Sequence, residues 1–279
     1  MKREEKLKII KIILRGNEMA KKSLFFRKEI VKEYFENESE KHFQDLLKKR
    51  NVSEEIDENI LATHLFIALH KNGLLNKFLK KVIKKELKEP KITFEKPYKC
   101  SEEYLTGIKK YFRMNPHYDI RIRRKGAPKE GKSWIDVVIE DEENLIFIEV
   151  KYLSDISSKT TFDFARNQII RNVDVLLENA NNKNPFFILL TPSVFKNDRY
   201  AKHSKLYSYK IEEYSDQIQG IKNMKRDSGL SSEKLKKIKG KIFWATFEED
   251  ILSLLKDNNA TKGIKSYLKM IFPREMSKK

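Results

Sequence analysis

The sequence predicts an α/β fold preceded by a helical N-terminal region, and three observations carry that prediction. Two runs rich in β-branched and aromatic residues, 133–140 and 145–152, flank the polar loop Asp141-Glu142-Glu143-Asn144 and read as an antiparallel hairpin. A helical stripe follows over 161–180, with Phe162, Ala165, Ile169, Val173 and Leu176 on one side, and then a short buried strand, Phe186-Phe187-Ile188-Leu189-Leu190. Upstream, residues 1 to about 95 read as helical, which divides the chain into a helical region over 1–95 and an α/β domain over 96–279.

The elements can be justified in chain order. After Gly73 and before Pro90, residues Leu74, Leu75, Phe78, Leu79, Val82, Ile83 and Leu87 form a helical stripe, with Lys77, Lys80, Lys81, Lys84, Lys85 and Lys88 around it. Those lysines suit DNA phosphates and equally suit a solvated face. Residues 101–112 read as a helix capped by Ser101, and 118–124 (Tyr-Asp-Ile-Arg-Ile-Arg-Arg) as an alternating strand. The last strand is expected over 241–247 and a final helix over the last twenty residues. Between the two late strands, Arg199, Tyr200, Lys202, His203, Lys205, Tyr207, Tyr209 and Lys210 interleave basic and aromatic side chains. Phosphate contact with base stacking would use that composition, and so would a helix whose tyrosines pack on the sheet.

The hairpin carries the chemistry. With the four-residue loop unpaired, Glu140 faces Leu145, and counting outward brings Asp136 opposite Glu149. Opposed residues share a face, with Cβ atoms about 4.5–5.5 Å apart, so two like charges there call for compensation. One face carries Ile135, Val137, Ile139, Ile146, Ile148, Val150 and Tyr152; the other carries Val138 and Phe147, with Asp136, Glu149 and Lys151 gathered at the end away from the turn. Two carboxylates in this position suit a hard divalent cation such as magnesium. A lysine two residues on can orient a water or stabilise charge at phosphorus. A surface hairpin with a cross-strand Glu and Lys is the bland alternative.

Asp136 and Glu149-x-Lys151, on two successive strands, resemble the catalytic motif of the PD-(D/E)XK nuclease superfamily, which includes many restriction endonucleases. The expected order, helix, three-stranded antiparallel meander, helix, strand, is also similar to that restriction endonuclease-like core, over about residues 100–250. Ile135 stands where the family's Pro would be. The resemblance implies a metal-dependent endodeoxyribonuclease of restriction or defence type, with Mg2+ or Mn2+ held by Asp136, Glu149 and the main-chain carbonyl of Val150. It implies Lys151 as a catalytic residue, DNA as the partner and a homodimer to cut both strands. Gln168 and Arg171, three apart on the following helix and so on one face, stand where many members place a Gln or an Arg beside the site. Glu102 or Glu103 could serve as an extra ligand, and both also suit the first turn of a helix, where acidic residues favour the dipole. A structure-specific or RNA-cutting nuclease is the alternative with the same chemistry.

One motif competes. Residues 126–133, Gly-Ala-Pro-Lys-Glu-Gly-Lys-Ser, satisfy the P-loop pattern G-x-x-x-x-G-K-[ST], so a P-loop ATPase has to be weighed. A P-loop needs a helix after it to present amide donors to phosphates, and the residues after Ser133 read as a strand. Bulk properties agree with a polyanionic partner: 59 Lys and Arg against 41 Asp and Glu give a net charge of +18 over 279 residues. Lysine abundance also follows from an AT-rich genome or a warm habitat, and a non-catalytic nucleic-acid-binding protein would share the charge. The single Cys100 excludes an internal disulfide and, with a charged start and no apolar run of about 20 residues, predicts a cytoplasmic protein without a membrane partner. The five histidines lack metal-ligand spacing, and His64 reads as a core or flank residue.

Overall fold

The hairpin lies within a five-stranded sheet of order β1-β2-β3-β4-β5 in the computed structural model of the protein, which describes residues 58–114, 131–160, 163, 165–216, 219–228, 230–256, 268, 271 and 272. In chain order the described elements are α1 (Glu58–Lys71), α2 (Leu75–Ile83), β1 (Lys91–Tyr98), α3 (Glu102–Met114), β2 (Ser133–Glu140) and β3 (Asn144–Val150). There follow α4 (Gln168–Asn179), β4 (Asn184–Thr191), the short helices α5 (Val194–Asn197) and α6 (Arg199–Lys202), α7 (Leu206–Ser215), α8 (Gln219–Ser228), α9 (Ser232–Lys236) and β5 (Ile242–Thr246). A π-helical stretch, Phe247–Leu252, then runs into α10 (Ser253–Lys256).

Pairing is antiparallel for β1·β2 and β2·β3 and parallel for β3·β4 and β4·β5, so the sheet is mixed and open. The register counted from the loop is the one adopted: Glu140 faces Leu145, Ile139 faces Ile146, Val138 faces Phe147 and Val137 faces Ile148. Every residue of β3 is buried, as expected of a strand covered on both faces. One cover is α4. Its Ile169, Ile170, Val173 and Leu176 are fully buried in a cluster with Val138, Phe147, Phe187 and Leu189. Each such side chain contributes roughly 1.5–3 kcal/mol of burial.

Three sequence expectations differ from the fold. The strand beside β2 is Lys91–Tyr98, where a helical region was expected to run to about 95; the strand expected over 118–124 lies outside the described residues. Pro90 ends the helical pattern and Ile92, Phe94 and Tyr98 alternate with polar residues after it. Pro97 is tolerated because β1 is an edge strand of the sheet formed by the described residues. The helix expected over 74–87 stops at Ile83, where Lys84 turns left-handed at φ 58°, and Leu87 is instead held by paired bonds from its amide and carbonyl to the Asn76 side chain. The helix expected over 161–180 begins only at Gln168, because Asn167 takes an extended conformation and its side chain caps the Ile170 amide. Ala165, counted on the apolar stripe, is exposed before that cap, and Phe162 lies outside the described residues.

The Ser101 cap does form: its hydroxyl accepts the Tyr104 amide at 3.0 Å and opens α3. Ser133, the last letter of the P-loop pattern, is the buried first residue of β2, so a strand stands where that motif needs a helix. His64 is buried, which pushes its pKa down to about 3 and keeps it neutral, as a core histidine.

The chain forms two units, residues 1–64 with 261–279, and residues 65–260. The described part of the first contributes the buried Ile60, Leu61, Leu268, Ile271 and Phe272. The second holds the whole sheet. No helix among the described residues is long and apolar enough to cross a membrane.

Candidate active site at the end of the hairpin

The β2·β3 ladder ends at Val137 and Ile148, and the next level is where the carboxylates stand. Asp136, half-buried, uses Oδ2 to accept the Val150 amide at 2.8 Å, so its carboxylate replaces a ladder bond and is fixed against β3. Glu149 is 1% exposed. A charge buried that far needs donors, and it has them: Gln168 Nε2 at 2.5 Å and Lys151 Nζ at 2.7 Å on Oε1, and Asn172 Nδ2 at 2.7 Å on Oε2. Lys151 reaches Glu149 from two residues on, as the period of a strand requires.

Local folding explains these placements. The Asn167 cap sets the first turn of α4, so Gln168 and Asn172, one turn apart, project side by side toward the end of β3. Gln168 is fixed at its own far side: its Oε1 accepts the Ser157 amide at 3.1 Å, and its main-chain N–H donates to the Ser157 carbonyl at 2.9 Å. Arg171, partly buried, lies between the two amides in the same turn. Just before the cap, Arg166 pairs with Asp174 at 2.5 Å, both side chains wholly buried, and stacks 3.8 Å from the centre of the Tyr104 ring. Burial pushes the Asp174 carboxyl above the usual carboxylate range, with the Arg166 guanidinium opposing it.

The structure therefore brings together Asp136, Glu149, Lys151 and Gln168, as the sequence predicts, and adds Asn172, which the sequence reading did not select. Its signal was the i+4 spacing from Gln168. Glu95, also buried, occupies the position in β1 between the Phe94·Val137 and Lys96·Ile135 pairs, level with Asp136, and has a left-handed backbone at φ 47°. Glu103 goes elsewhere: it lies 3.7 Å from Lys234, which also bonds Glu178, ten residues beyond Gln168 and so about 15 Å along α4. Glu102 is exposed.

Among the described residues, no three or more His, Cys, Asp or Glu side chains gather as an ion site. Asp136 and Glu149 bring two carboxylates to this level; Asp136 Oδ2 accepts the Val150 amide, and both Glu149 oxygens accept from nitrogen donors. In this state the Lys151 ammonium occupies one Glu149 oxygen and supplies the positive charge.

Among the described residues, Trp134, Leu153, Val194, Tyr200 and Tyr209 are the exposed large hydrophobics. Trp134 shares a strand face with Asp136, Leu153 follows Lys151, and the other three lie in the segment that leaves the end of β4, which is parallel to β3. Tyr207, between them in sequence, is buried against Phe195 and Trp244. Within the basic and aromatic segment, Tyr207 packs on the sheet, while Tyr200 and Tyr209 are exposed. Comparison with family models, with curated proteins and with solved structures gave no match to this chain.

Proposed function

We propose that the protein is a divalent-metal-dependent nuclease that hydrolyses phosphodiester bonds, with DNA as its substrate, in the manner of a restriction-type or defence endonuclease acting as a homodimer. The observation that carries this reading is the Glu149 carboxylate, buried at the end of β3 under three nitrogen donors, with the Asp136 carboxylate bonded to the next main-chain amide, that of Val150. Asp136, Glu149 and the Val150 carbonyl would hold Mg2+ or Mn2+, which supplies charge neutralisation at the phosphate and an activated water. Gln168 and Asn172 keep the Glu149 carboxylate in one orientation. Lys151, 2.7 Å from Glu149, would present its ammonium to the negative charge that develops at phosphorus. The net charge of +18 supports a polyanionic substrate.

Incubation of the purified chain with plasmid, linear DNA and RNA, with magnesium or a chelator, tests the reading. Cleavage of DNA is expected only with the metal. Asp136→Asn and Lys151→Ala should each reduce it by about 10²-fold or more, while binding of the uncut DNA persists. Metal-independent cleavage, or variants that cut as fast as the parent, would overturn the assignment. Preferential cleavage of RNA would retain the chemistry and change the substrate.

A further inference from the structure

The segment after β4 encloses a second concavity. Between α5, α6 and the first turn of α7 lies a cavity of about 290 Å³, whose wall includes Lys196, Arg199, Lys202, His203, Ser208 and Tyr209. Three cationic side chains and a histidine meet one carboxylate there, that of Glu212, which pairs with Lys202. Lys196 donates to the Trp244 carbonyl at 2.8 Å, and His203 Nδ1 lies 2.7 Å from the Tyr209 hydroxyl. Arg199 pairs with no carboxylate among the described residues. Ser208 is 1% exposed, and its hydroxyl has no hydrogen-bond partner among the described residues. A buried hydroxyl in that condition costs free energy unless a ligand or water completes it. An excess of cations around a leftover hydroxyl suits an oxyanion, and Arg suits a phosphate in particular because its planar fork matches two oxygens.

The wall of the cavity is tied to the loop after Lys151. Asp155, four residues after Lys151, accepts the amides of Leu206 at 2.6 Å and Tyr207 at 3.2 Å, and Lys205 Nζ donates to the Leu153 carbonyl. The helix that lines the cavity is thereby fastened to the loop leaving the candidate active site. Next to Arg199, Tyr200 is 86% exposed.

From this we propose that the cavity holds a backbone phosphate of a nucleic-acid strand, with Tyr200 stacking on an adjacent unpaired base, so that the protein engages single-stranded nucleic acid beside its active site. The choice of partner rests on the nuclease reading above; the cavity itself does not.

Fluorescence anisotropy on the full chain, with labelled single strands and duplexes of equal length and a chelator to prevent cleavage, tests it. The parent should bind the single strand more tightly. Tyr200→Ala should weaken that binding at least about fivefold, the low end of the loss for one base–aromatic stack. Arg199→Ala should lower the slope of log affinity against log salt by about 0.7, one phosphate's share on a single strand. Lys237→Ala, an exposed lysine on another surface, should leave the single-strand preference and the Tyr200 effect unchanged. Parent-like affinity and salt slope in both cavity variants overturn the proposal, as does a parent that binds neither strand. Inorganic phosphate titrated against the labelled strand separates the sources: if phosphate binding is lost in Arg199→Ala while strand binding is not, the cavity is a free-anion site and the proposal fails. Strand binding that depends on Arg199 and Tyr200 in a protein that never cleaves would uphold the cavity and sink the nuclease reading.

Discussion

Glu149 is held by more donors than a surface carboxylate ever needs, and the least conspicuous of them is Asn172. Removing its side chain strips Oε2 of the 2.7 Å bond and leaves a buried oxygen short of a partner, a loss of about 1–3 kcal/mol. Asn172→Ala should therefore raise the metal concentration for half-maximal cleavage by about 10–100-fold, the usual effect of deleting a group that orients a metal ligand, with much of the rate restored at saturating metal. Magnesium titration of the cleavage rate checks this, and a curve that overlays the parent's contradicts it. At this scale the sequence was legible wherever a strand period fixed the geometry. The loop length gave the register, and the i+2 rule put Lys151 with Glu149. Asn172 was not legible because an amide on a helix flank has the same appearance whether it meets water or a carboxylate; only the cap at Asn167 decides which way that flank points.

Among the elements, α4 depends on a junction that hydrophobic periodicity does not see. Phe162 and Ala165 extend its apolar pattern backward, yet the helix starts at Gln168 because Asn167 caps it, and Arg166 before the cap is drawn inward by Asp174 and Tyr104. Arg166→Met would leave the Asp174 carboxylate buried without its cation and should cost about 3–5 kcal/mol, while the double variant with Asp174→Leu should recover most of that loss. Urea unfolding of the two variants measures the difference; equal destabilisation would mean that packing, not charge, holds the junction. The unread β1 has a comparable cause. Its Lys91, Lys96 and Pro97 interrupt the apolar alternation, so the run looks little like a strand although it pairs with β2 along its length.

For the molecule as a whole, the mixed sheet places the end of an antiparallel hairpin beside the ends of parallel strands, and the acidic pair, the lysine and Trp134 belong to that end. Lys151 acts there as an internal cation, so the fold does not require a metal to neutralise Glu149. Magnesium should nonetheless stabilise the protein by about 2.7 kcal/mol at a hundred times its dissociation constant, seen as a rise in Tm against a chelator control, and Asp136→Asn should remove that rise. A Tm indifferent to magnesium in the parent would place the ion elsewhere or nowhere.

The loop after Lys151 is stitched to Gln168 through Ser157 on one side and to the start of α7 through Asp155 on the other. A strand gripped at the cavity and cut at Glu149 would thus be measured by a bracket of fixed length. Such a device works as a ruler: its products would end a constant number of nucleotides from the gripped phosphate, whatever the bases in between.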